Sequence, residues 1–157
     1  MSYLNFQKAK ELAKQCNDYY TGKSKTTEEI IKSEEMLGMK FSKQLLDYYS
    51  GIGYLSFLGI EIYRIYPNSK SGTMAGNSIA SALHDREKYN LSSKWLPIYF
   101  FDDGYMGYLD YSQINEEGEP PVIMAVYDGS EYVVVEKVAE DFGDFLPLLV
   151  EEQLSER

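Results

Sequence analysis

The chain has one cysteine, one histidine and an excess of acidic over basic side chains across its 157 residues. Cys16 has no partner for an intramolecular disulfide, which agrees with a reducing compartment. His84 is the only imidazole, so any Ser-His-Asp or Cys-His arrangement would have to use it. It sits mid-helix with no G-x-S-x-G elbow and no cysteine nearby, and it reads as an exposed helix residue. One His and one Cys also leave too few soft ligands for zinc. No cofactor and no metal are expected. Fifteen Lys and Arg against twenty-five Asp and Glu leave a net charge of −10. That field repels phosphate backbones and anionic lipid and attracts basic partners, although acidity serves solubility as well. No apolar run could span a bilayer, and Met1-Ser-Tyr-Leu-Asn-Phe-Gln-Lys8 lacks the h-region of a signal peptide. The expectation is a cytoplasmic protein without direct nucleic-acid or membrane binding.

Tyrosine is what the chain has in excess, fifteen residues. Each has an apolar body and a polar tip, suited to half-buried strands and to contact surfaces. The length favours one domain over residues 1–157.

Phe6, Ala9, Ala13, Cys16 and Tyr20 recur at helical spacing and predict a first amphipathic helix. Gly22 to Lys25 read as a loop. Thr26-Thr-Glu-Glu29 is a capping box that opens a second helix through Ile30, Ile31 and Glu34 to Leu37, with Gly38 as its left-handed stop. Ser42 can cap a third helix carrying Leu45, Leu46 and Tyr49, which ends at Ser50-Gly51-Ile-Gly53. Two strands are expected between Tyr54 and Tyr66, broken at Gly59. A loop over Asn68 to Asn77 precedes a helix from Ser78 to Tyr89. Asp103-Gly104 and Asp128-Gly129 each separate two β-rich runs and predict hairpins, because Gly supplies positive φ without strain. A last helix carries Phe142, Phe145, Leu146, Leu149 and Leu154, and Pro147 requires it to start near Asp144 or to bend. The order gives an α+β fold, a mostly antiparallel sheet with helices packed on it.

Gly72-Thr-Met-Ala-Gly76-Asn-Ser78 lacks the Gly-Lys-Ser/Thr core of a phosphate loop, since Asn77 stands in the Lys position. Asp102, Asp103 and Asp110 could be offered as an acid/base or Mg²⁺ set, but Asp102 and Asp103 flank a turn, where Asp is expected for local hydrogen bonding, and Asp110 lies in a strand and is expected to be a structural contact. Glu34 is expected to tie its helix to nearby backbone amides. The feature that best fits binding is the hairpin tip Phe101-Asp-Asp-Gly-Tyr105 with Tyr108: aromatic contact area beside carboxylates. Glu116, Glu117 and Glu119 could extend an acidic rim.

Ile30, Glu34, Leu37-Gly38, Phe41-Ser42, Leu45, Tyr48 and Gly51-x-Gly53 form one ordered set. Trp95-Leu-Pro97-Ile98, Gly107-x-Leu109-Asp110, Pro121-Val122 and Ala139-x-Asp141-Phe142-x-x-Phe145-Leu146 form a second. Together they resemble the SUKH superfamily from about Thr26 to Leu149, leaving the first helix outside. That group includes yeast cell-wall (glucan-synthesis) regulators and bacterial toxin-immunity proteins. The resemblance implies structural roles for Glu34, Leu37, Gly38, Gly51, Gly53, Trp95, Pro97, Asp110 and Phe142. It further implies a non-catalytic domain that binds and neutralises a cognate toxin, often a nuclease, or else a regulatory adaptor in cell-wall assembly or proliferation. Partner contacts are expected at Asp102, Asp103, Tyr105, Tyr108, Glu116 and Glu117. The identity of the toxin and the oligomeric state do not follow from the residues.

Overall fold

A computed structural model describes residues 7, 8, 11, 14, 20–57, 60–67 and 76–155. The apolar positions of the first helix (Phe6, Ala9, Ala13 and Cys16), the break at Gly59 and the loop over 68–75 lie outside the described residues. Tyr20, expected at the end of that helix, is instead in a strand. Strand β1 (Tyr20–Thr21) pairs antiparallel with β2 (Leu55–Phe57), which pairs with β3 (Ile60–Ile62).

Helix α1 (Thr27–Leu37) starts on the expected capping box: Thr26 and Glu29 satisfy each other's backbone amides at 3.1 Å. It stops at Gly38, φ 68°. Helix α2 spans Lys43–Gly51 and α3 spans Ser78–Tyr89. Asn77, read as a loop residue, caps α3, accepting from the Ile79 and Ala80 amides.

Strands β4 (Trp95–Asp102), β5 (Tyr105–Asp110), β6 (Val122–Tyr127) and β7 (Tyr132–Ala139) form an antiparallel meander in chain order. Both Asp-Gly dipeptides turn hairpins. Asp102 pairs with Tyr105, so Asp103 (φ 53°) and Gly104 (φ 86°) are a two-residue loop with both φ positive. The second loop is longer, because Tyr127 pairs with Tyr132. Asp128 organises it by accepting from the Ser130 and Glu131 amides, both at 2.8 Å.

Helix α4 (Phe142–Ser155) begins two residues before Asp144 and contains Pro147. Asp141 caps it, accepting from the Asp144 amide at 2.8 Å. The proline therefore lies inside the helix and costs it one amide donor.

One face of the meander packs against the helices. Leu96, Ile98, Leu109 and Val122 join Ile30, Leu45, Tyr48, Ile79 and Phe142 in the main core. Phe142 stands edge-on to Tyr48, with centroids 5.2 Å apart. The Tyr63 amide reaches the Ile98 carbonyl at 2.9 Å and ties the β3 end of the small sheet to β4. The opposite face carries a second cluster of Leu91, Tyr108, Ile123 and Ala125, flanked by Trp95, Met106 and Tyr132. Strand β7 closes the meander with Val133, Val134 and Val135 exposed. Two register shifts along it, with Glu136 and Lys137 between them, make it a poor template for further pairing.

The helices and sheet meet in a buried polar junction. Ser42 stands at the N-cap of α2 but makes no capping bond with its side chain. Its amide instead donates to the Tyr111 hydroxyl, and Glu119 accepts from the Gln44 amide at 3.3 Å. Gln44 then spans to α4, accepting from the Gly143 amide at 2.7 Å and donating to Asp141 at 3.1 Å. Glu119, expected on an acidic rim, is thus only 3% exposed and caps a helix.

Gly104 has no side chain within 3.8 Å of where a Cβ would stand, so its need for glycine is conformational. Replacing it with Val should cost about 1–2 kcal/mol of unfolding free energy by forcing a β-branched residue to positive φ. An unchanged urea midpoint would contradict that. Burial raises the Glu119 carboxyl above its ordinary value of 4.5, with hydrogen bonds from Ser42 and Gln44 opposing. The native chain therefore holds this proton more tightly than the unfolded one. Its contribution is full below pH 4.5 and declines as pH rises through the native value. Glu119→Gln keeps an acceptor and abolishes the titration. Wild type should lose stability relative to this variant as pH rises from about 4 to 7 in denaturant titrations.

Candidate functional site

Strand direction decides which candidate residues meet. The β4–β5 tip and the β6–β7 tip lie at the same end of the sheet, because Met106 pairs with Ala125 and Tyr127 with Tyr132. The connection bearing Glu116 and Glu117 leaves the far end of β5. Five steps of ~3.4 Å along β5 separate the two ends by roughly 17 Å. Both glutamates are exposed, but they form no common rim with Asp102 and Asp103.

At the tip, Asp102 and Asp103 are exposed and Tyr105 is 37% exposed. Phe100 adds an exposed ring on β4. Tyr108, expected beside them on the surface, is 1% exposed. Its place in β5 points it into the second cluster, where it packs on Trp95 with centroids 5.2 Å apart. Its hydroxyl is held by Tyr132, and burial lifts its ionisation far above the ordinary tyrosine range. Tyr108 builds the wall of a site and cannot be its exposed anchor.

That site is a groove of about 410 Å³ between the tips and the C-terminal end of α3. Asp85 and Tyr89 come from α3, Asp103 from the first hairpin turn, and Tyr127 and Tyr132 from the second hairpin. The Tyr127 ring lies 4.8 Å from Tyr89 and 5.2 Å from Tyr132, so the wall is a continuous run of aromatic surface. His84, half-buried rather than fully exposed, holds Asp85 through Nδ1 at 2.9 Å and leans on Tyr89. Sequence reasoning missed Asp85, Tyr89, Tyr127 and Tyr132, which are up to 47 positions apart. The available signal was the tyrosine next to each Asp-Gly hairpin, at Tyr105 and Tyr127.

A larger groove of about 590 Å³ between β7 and α4 is lined by Lys137, Glu140 and Asp144 with Val138, Pro147 and Leu148. Its charges are mixed, and no aromatic ring is among its described lining residues.

The remaining motif residues hold the fold. Glu34 is buried and accepts from the Phe41 amide at 2.8 Å. Asp110 is 2% exposed and takes the Ser112 amide at 3.0 Å and the Gln113 side chain at 2.6 Å, which turns the chain out of β5. The Pro97 carbonyl accepts from the Ser78 hydroxyl, and Leu37 and Phe142 are core. Gly53 sits where a Cβ would come within 2.1 Å of the Lys23 carbonyl. Gly51 closes α2, and its carbonyl accepts from the Ser24 hydroxyl. Among the described residues, no three His, Cys, Asp or Glu side chains converge where a metal could be held. No helix among them is long and apolar enough to cross a membrane.

No curated protein matches the chain. The family model SUKH_5, described as SMI1-KNR4 cell-wall, matches residues 9–150 and so reaches back beyond the motifs that begin at Thr26. With nearly the whole chain covered, and the matched motifs forming the caps, core and polar junction of an α+β fold, the protein belongs to the SUKH family.

Proposed function

We propose that the chain is a non-catalytic, cytoplasmic protein-binding domain: an immunity protein that neutralises a cognate toxin by covering a basic surface on it. The observation that carries this reading is the sheet end where exposed Asp102, Asp103 and Tyr105 border the tyrosine groove. Carboxylates of one sign on a chain of net charge −10 speed encounter with a basic partner. Rigid rings supply contact area at small entropic cost. Against a nuclease, the carboxylates would occupy the positions of substrate phosphates, and inhibition would be by occlusion. The cell-wall wording of the matched family favours a second reading, a regulatory adaptor in cell-wall assembly. Both readings need a protein partner and neither needs turnover.

The test is co-expression with the toxin encoded beside this gene, followed by binding kinetics at two salt concentrations. Asp102→Lys with Asp103→Asn, which keeps a residue tolerant of the left-handed turn, should slow association and flatten its salt dependence. Tyr105→Ala should instead speed dissociation, at a cost of about 2 kcal/mol if it is a central anchor. Glu116→Lys with Glu117→Lys, at the far end of the sheet, should change neither rate more than general charge does. If no neighbouring toxin is bound or neutralised by the wild type, the adaptor reading takes precedence.

A further inference from the structure

The groove's chemistry is narrower than that of an acidic surface. Its aromatic wall is formed by Tyr89, Tyr127, Tyr132 and the edge of Tyr108, with neighbouring centroids 4.8, 5.2 and 6.3 Å apart. Two carboxylates line it from separate elements, Asp85 just before the last turn of α3 and Asp103 on the β4–β5 turn. No lysine or arginine is among its described lining residues. The charge of Asp85 reaches the Tyr108 and Tyr132 hydroxyls, strengthening their hold on their protons beyond the effect of burial alone. A cation entering the groove would therefore meet π-faces on one side and negative charge on the other.

We propose that this groove is a receptor for one arginine side chain of the protein partner, with the guanidinium laid on the tyrosine wall between Asp85 and Asp103. This names what the partner inserts and so rests on the protein-binding reading. A planar, weakly hydrated guanidinium stacks on rings and still offers its edge donors to carboxylates, whereas a lysine ammonium must shed more water to enter. The protein makes such a stack internally: Arg64 lies 4.5 Å above the Tyr54 ring and 4.8 Å from that of Tyr66. At about 410 Å³ the groove has room for a side chain such as arginine.

The experiment is an NMR titration of the full chain with Nα-acetyl-arginine amide, with its citrulline counterpart, which is uncharged, and with Nα-acetyl-lysine amide. Saturable shifts confined to Tyr89, Tyr127, Tyr132 and the Asp103-Gly104 turn are expected with the arginine compound. The dissociation constant should be on the order of 10 mM, as the contact of one side chain allows. Citrulline should bind at least about ten-fold more weakly and lysine about three-fold more weakly. Asp85→Asn and, separately, Tyr89→Leu should each weaken arginine binding several-fold. Tyr89 is 38% exposed at a helix end, so its loss should leave the fold intact, which the remaining amide spectrum checks. Shifts that do not saturate, citrulline or lysine matching arginine, or indifference to both variants would overturn the site. Toxin binding that persists while arginine amide fails removes the site and leaves the immunity reading standing. Saturable arginine binding without any toxin captured supports the site and removes that reading.

Discussion

Gln44 holds the architecture at the point where three elements converge. Its backbone amide is satisfied by Glu119 from the β5–β6 connection, and its side chain both accepts from the first turn of α4 and donates to that helix's capping Asp141. Two helix N-termini and a loop share one buried set of partners. An unsatisfied amide there would cost about 1–3 kcal/mol, so each member constrains the next. The junction fixes α2 and α4 against the same end of the sheet, and the aromatic contacts of Tyr48, Phe142, Phe145 and Tyr99 follow from that placement.

With the helices held on one side, the meander's other face is covered, among the described residues, by the C-terminal end of α3, by Leu91 just beyond it and by its own side chains. Trp95, Tyr108 and Tyr132 pack on one another there; Tyr108 is fully buried, and Trp95 and Tyr132 stay half-buried, short of what a helix layer would give. A sheet face left part-covered at one end, next to two hairpin tips, is where a groove forms. The excess of tyrosine suits that position, since each ring can be half in the cluster and keep its hydroxyl toward water.

The acidic residues divide by the same geometry. Glu34, Asp110, Glu119 and Asp141 are spent inside the fold on backbone amides and caps. Asp85, Asp102 and Asp103 stand at the groove end, and Glu116 and Glu117 stand at the other. A count of charges is therefore a weak guide to the interaction surface, because several of the carboxylates nearest the family motifs face inward.

Local rules made much of the fold legible. The capping box at Thr26, the stop at Gly38, the hairpin at Asp103-Gly104 and the helix from Ser78 to Tyr89 each depend on a few consecutive residues, and the structure has them where the pattern puts them. Readings failed where a distant partner decided the outcome. Ser42 has the residue type of a cap, but Tyr111 takes it and Glu119 caps in its place. Tyr20 continues a helical periodicity but pairs with β2, because an exposed sheet edge satisfies its backbone. Pro147 requires α4 to start near Asp144 or to bend, and Asp141 and Gln44 fix that start at Phe142, two residues before Asp144. The sequence alone determined the net charge, the family and the element types from Thr26 onward, but not the strand at Tyr20. Tertiary structure alone decided that Tyr108 is buried and that Asp85, Tyr89, Tyr127 and Tyr132 enclose one groove. Which sheet face each strand turns toward the helices, and where α3 ends against the hairpins, set those contacts, and neither is encoded in the spacing of residues along the chain.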